Sequence, residues 1–196
     1  MTIRKISYIT LFFVIFASIC SAETETQYFA LFMSGQKVGY AIQSRQVLED
    51  RVLTTEQANI TITRFNIPIT MNTSETCIET TEGKPLGFEA KQDLSMMGMS
   101  VSGQVDNDGN VVAIVKTGGS EQKQTLQWPE GAVMAEGLRL ITEEKGLEEG
   151  TKYTVKLFSP SLLKAIDSEI TIFGKETVDL LGRVLGLTKV TKTPQR

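Results

Sequence analysis

The chain has 196 residues, 20 Lys and Arg against 23 Asp and Glu, and no histidine. The net charge of −3 gives no basic face for nucleic acid. The missing histidine excludes Ser-His-Asp and Cys-His catalysis and the usual open zinc-hydrolase sites, all of which need an imidazole.

The N-terminus reads as a secretory signal. Arg4 and Lys5 form a basic n-region, Tyr8 to Ile19 an apolar run of about a dozen residues, and Cys20-Ser-Ala22 a small-residue cleavage site. Ile19 stands where a lipidated Cys20 would want a small residue, which argues against a lipoprotein. Cleavage near Ala22 predicts a periplasmic or secreted protein, with the membrane met only through the signal segment. The remainder carries −5 and one cysteine, Cys77, so no internal disulfide can form. Residues 23–196 have the length of a single domain, with no low-complexity linker to divide them.

In chain order the pattern is strand, turn, strand. Tyr28 to Met33 is an apolar strand, Ser34 to Gly39 a turn, and Tyr40 to Val47 a strand. Residues 52–65 alternate with period two, Ala58, Ile60 and Ile62 on one face, until Asn66-Ile-Pro68 interrupts. Residues 69–81 are Thr-rich and polar on both faces, with Thr73, Glu75 and Glu79 on one and Asn72, Ser74 and Thr76 on the other. Such a strand suits a solvated edge, or a sheet with one face lining a wet concavity. Thr73, Glu75 and Thr76 are therefore the candidate partner edge.

Glu79 to Phe88 is a turn leading into a clean alternation over residues 86–95. Met96 to Met99 bends the chain, and Asp106-Asn-Asp-Gly-Asn110 joins strands 99–105 and 111–117. Gly118-Gly119 turns into strand 122–128. Val133, Met134, Leu138 and Ile141 recur at helical spacing, which predicts one helix near 132–145 closed by Gly146. Strand 151–158, a hairpin of 168–173 and 176–181 about Gly174-Lys175, and strand 183–191 follow. About eleven strands and one helix predict a mainly β fold, an antiparallel curved sheet that is barrel-like or a sandwich.

Several motifs suggest chemistry, and each has a plainer reading. Ser161-Leu-Leu-Lys164 and Lys116-Thr-Gly118 match penicillin-binding elements, but in reversed order and in too short a chain. Asp106 to Asn110 lacks the Gly and Glu positions of an EF-hand loop. Met96, Met97 and Met99 could ligate copper(I), but also suit an apolar bend. Asn59-Ile-Thr61 and Asn72-Thr-Ser74 are sequons inside strands. Glu143, Glu144, Glu148 and Glu149 lack an aromatic platform and read as a solvated face, and Cys77 reads as a small buried hydrophobe. No catalytic residue, cofactor or metal site is expected.

The order of Gly35-Gln-Lys-Val-Gly-Tyr40, Glu79 to Phe88, Gly103, Asp108-Gly109, Leu147-Glu-Glu-Gly150 and Ile172 to Val178 resembles the exported β-rich domain ahead of the catalytic core in bacterial transglutaminase-like proteins, and related periplasmic domains. The resemblance implies a β domain accessory to a transglutaminase-like protein. That family's core would follow the last strand, and the sequence stops at Arg196, so no catalytic residue carries over, and set against the family the domain is expected to lack its final strands. Two functions follow as expectations: a non-catalytic exported domain binding a periplasmic protein partner, or a carrier holding an apolar ligand in a concave sheet. An enzyme is the least favoured.

Overall fold

The computed structural model describes residues 23–94, 97–180 and 182–195. The predicted signal lies outside the described residues, as does Met96. Eight strands form an antiparallel meander in sequence order: β1 (Glu23–Met33), β2 (Gln36–Leu48), β3 (Arg51–Arg64), β4 (Ile67–Thr80), β5 (Pro85–Leu94), β6 (Met97–Val105), β7 (Asn110–Thr117) and β8 (Ser120–Gln127). β9 (Ala132–Val133) and α1 (Ala135–Lys145) follow, then β10 (Lys152–Ser159), β11 (Lys164–Leu180) and β12 (Arg183–Pro194). The last strands make a second sheet in the order β12-β11-β10-β9, with β9 parallel to β10. The fold is mainly β with antiparallel sheets and a single helix, as the patterning predicts, and the sheet is not closed.

The two layers meet over one face of the large sheet. Register places Cys77, Phe88, Gly103 and Ala113 in a row across β4 to β7, with Ala90 and Val101 in the next. These residues pack with Ala132, Met134 and Phe158 of the second layer. Phe88 lies over Gly103, where a Cβ would come 2.2 Å from the ring. Phe158 stacks 5.3 Å from Phe88 and 4.4 Å from Trp128, so one aromatic cluster pins both layers. α1 lies between the layers, with Leu138 and Ile141 packed on Val155, Ile170 and Ile172 of the small sheet.

Three expectations are corrected. The helix begins at Ala135, because Ala132 and Val133 pair with Lys156 and Leu157 as a short parallel strand. Residues 168–181 do not turn back at Gly174-Lys175. They form one strand with a bulge between Ile172 and Lys175, and the chain reverses before Arg183, at Gly182 with φ 86°. β4 is not an edge. It pairs with β3 from Arg64 to Arg51 and with β5 from Leu94 to Pro85, so ladder bonds take up its edges and its polar side chains stand on the two faces of the sheet.

Candidate functional site

The polar strand β4 does line a concavity. A cavity of 370 Å³ lies between the layers, and its large-sheet wall is Gln43, Glu56, Glu75 and Cys77. The opposite wall is mostly apolar: Val133, Leu138, Leu157, Phe158 and Ile166, with Ser168 on the internal strand β11 and Lys192 and Pro194 on the edge strand β12. A groove of 620 Å³ along α1 shares Gln43, Ala135 and Leu138 with the cavity and ends at Leu147.

Glu56 and Glu75 are direct cross-strand partners, so their side chains share a face in the cavity wall. Burial first, and then the Glu56 charge, raise the Glu75 carboxyl to about 7, against a smaller opposing pull from Lys192. Cys77, next but one on β4, is pushed to about 12 by burial and by the charges of Glu75 and Glu79. A thiol held there is inert near neutrality, in keeping with its reading as a small hydrophobe.

The candidate partner residues separate. Thr73 and Glu75 lie on the face of β4 turned to the second layer, whereas Thr76 lies on the other, where its hydroxyl meets Thr55 at 3.0 Å. Only Glu75 of the three lines the cavity.

Beside the cavity a charged network holds α1. Its N-cap residue, Met134, has no side-chain acceptor to offer. Glu79, wholly buried at the end of β4, accepts the Glu136 N–H at 2.6 Å and the Gly137 N–H at 3.0 Å. Burial raises the Glu79 carboxyl, and these N–H bonds oppose the rise. The Glu136 carboxylate, 1% exposed, takes two bonds from Arg45 at 2.8 Å and two from Arg139 at 2.8 and 3.1 Å. Burial alone would raise Glu136, but the two guanidiniums outweigh it and bring the carboxyl to about 2. Arg139 continues to Glu143 at 2.8 Å. Gly83, with φ 78°, completes the seat: a Cβ there would come 2.7 Å from the Gly137 Cα.

Sequence reasoning did not find this network. One signal was present, the absence of Ser, Thr, Asp or Asn at Met134 before a helix start. Nothing local could name the replacement, since Glu79 lies 57 residues from Glu136 and Arg45 lies 91.

The other motifs fall apart in space. Lys116 ends β7 in the large sheet and pairs with Glu121 at 3.0 Å, whereas Ser161 sits in the turn after β10 of the small sheet. The Asp106 carboxylate accepts the N–H groups of Asp108 and Asn110, which makes it the hairpin turn's own acceptor. Asn59 and Asn72 are cross-strand partners bonded at 2.6 Å. Met99 packs on the core, while Met97 is exposed. Among the described residues no His, Cys, Asp and Glu group is arranged to hold a metal ion, and no helix is long and apolar enough to cross a membrane. No protein-family model, curated protein or solved structure matches the chain.

Proposed function

We propose that this chain is a non-catalytic exported β domain that carries an amphipathic ligand, its apolar part between the sheets and its polar end at Glu56, Glu75 and Lys192. The observation that carries this reading is the 370 Å³ cavity beneath α1, apolar on one wall and carboxylate-lined on the other. Its size is at the low end of the roughly 300–1,000 Å³ of small-molecule sites. The groove along α1 offers a path for a longer apolar tail. Two facing carboxylates against one lysine favour a ligand end that donates hydrogen bonds or carries positive charge. The reading of the chain as a partner-binding accessory of a transglutaminase-like protein loses its seat at Thr73, Glu75 and Thr76, because β4 is paired on both sides.

The test is native mass spectrometry of the chain purified from its own cells, with a fluorescent apolar probe, N-phenyl-1-naphthylamine, titrated in parallel. A bound small molecule is expected, along with probe binding that Ser168→Leu abolishes by filling the cavity. A ligand-free mass, together with probe binding indifferent to Ser168→Leu, would sink the carrier reading.

A further inference from the structure

The hairpin joining β3 and β4 outruns its neighbours. β2 pairs with β3 only as far as Ile60, and β5 pairs with β4 only from Met71. Among the described residues, 61–69 have ladder partners only within this hairpin, which forms a two-stranded finger at this end of the large sheet. At about 3.3 Å per residue each arm runs roughly 15 Å past the last β2–β3 pair.

The finger is apolar where solvent would favour polar residues. Phe65, Ile67 and Ile69 are exposed, Phe65 at 88%. The two turn residues, Phe65 and Asn66, both take positive φ, 52° and 61°. Asn suits that conformation, but Phe is a steric outlier there. The fold therefore tolerates strain to hold a bare aromatic ring at an apex, where it contributes nothing to a core. Antiparallel order brings the β1–β2 tip to the same end, with Phe32 and Met33 exposed, and Leu94 and Met97 lie at that end as well.

The charge here is opposite to that of the chain. Arg64 is the only charged residue of the finger, and its guanidinium lies 5.6 Å from the Phe65 ring centroid. Lys37 faces Phe32 across the β1–β2 pair, and Asp93, which pairs with Asn72, sits behind the finger's root. An apolar tip collared by Arg and Lys on an acidic protein matches the interface of an anionic bilayer, where rings enter the acyl boundary and cationic heads reach lipid phosphates.

We infer that the finger docks this chain on an anionic lipid surface, with Phe65, Ile67 and Ile69 inserted and Arg64 and Lys37 on the phosphates. The inference does not rest on the cavity and concerns a surface distinct from the N-terminal leader. It is tested on the full chain with vesicles of phosphatidylglycerol and phosphatidylcholine. A Phe65→Trp variant places a reporter at the apex. Insertion is expected to blue-shift the added emission, and acyl-brominated lipids to quench it, relative to the parent chain, whose Trp128 packs on Phe158. Phe65→Ser/Ile67→Ser should weaken vesicle binding about tenfold or more, and Arg64→Gln should reduce the preference for phosphatidylglycerol. Unquenched Phe65→Trp emission on vesicle-bound chain would overturn the proposal. A concentration-dependent dimer lost on Phe65→Ser, with no quenching, would overturn it in favour of a second copy as the occupant.

Discussion

Glu79 caps α1 from another strand, and its geometry makes a sharp demand. Both carboxylate oxygens accept backbone N–H groups, at 2.6 and 3.0 Å, in a site closed to water. Glu79→Gln keeps the shape but sets an amide NH₂ against one of those donors. The expected cost is about 1–3 kcal/mol, the penalty for an unsatisfied buried group, read from urea denaturation. A variant as stable as the parent would show that the helix start relaxes onto water. Glu75 makes the complementary prediction. Its folded pKa of about 7 lies above the unfolded value near 4.5, so the folded state holds a proton that the unfolded state has lost between those pH values. Stability contributed at this site is therefore full below about pH 4.5, falls as pH rises towards 7, and is level above. Glu75→Gln should flatten that slope by about 1–3 kcal/mol across the window, the lower figure allowing for screening by cavity water. Glu136 has the opposite sign. Held at about 2, it stabilises the fold above its unfolded pKa and loses that contribution as pH falls from about 4.5 to 2. Equilibrium unfolding from pH 2 to 9 on the parent, Glu75→Gln and Glu136→Gln separates these terms.

At the scale of elements, α1 is a poor helix made good by its surroundings. It has eleven residues, a glycine in its first turn and no local cap, and a helix that short is marginal in water. Arg45 from β2, Glu79 from β4 and Gly83 from the β4–β5 turn hold its first turn from three sides. The Arg45 side of the Arg45–Glu136 pair is 25% exposed, so the pair itself need not be strongly stabilising. Its loss is nonetheless expensive, because Glu136 stays buried when Arg45 is removed. Arg45→Met should cost more than Arg45→Met combined with Glu136→Gln, and a double-mutant cycle in thermal unfolding reads the coupling. Additive effects would mean that Arg139 alone satisfies Glu136. Gly83→Ala meets both positive φ and the Gly137 backbone at 2.7 Å, so it should lower stability by more than the ~1 kcal/mol of an ordinary conformational penalty. Hydrogen exchange faster in α1 than in β4 to β6 would locate that loss.

For the whole molecule, two layers of unequal size leave the carboxylate pair at the rim of a shared core. Phe88, Phe158 and Trp128 close one end of the interface, and the cavity with Glu75 and Lys192 opens beyond it. The apolar finger leaves the large sheet at the end of β3 and β4, on the same strands that supply Glu56 and Glu75 to the cavity. If ligand and finger are coupled, the strands between them carry the coupling. Amides of residues 61–69 should exchange much faster than those of residues 73–79, which are paired on both sides. Vesicles should slow exchange at the finger without altering the centre of β4.

The strands, most of their turns and the single helix were legible from residue patterns, because period-two and helical spacings are local and the Asp106 to Asn110 turn carries its own acceptor. The failures share a cause. That β4 is internal, that Gly174-Lys175 is a bulge and not a turn, and that Ala132-Val133 is a strand depend on partners distant in sequence. Thr73, Glu75 and Thr76 were rightly seen as unusual, but alternation puts Thr76 on the other face and pairing removes the edge. What the amino-acid order determined alone was the mainly β architecture and the absence of imidazole chemistry, since both follow from local spacing and composition. Only tertiary structure decided that Glu79 would cap a helix, that Glu56 and Glu75 would share a cavity wall, and that the β3–β4 tip at Phe65 would stay exposed. Each is a meeting, or a missed meeting, of segments whose positions are set by packing of the whole sheet.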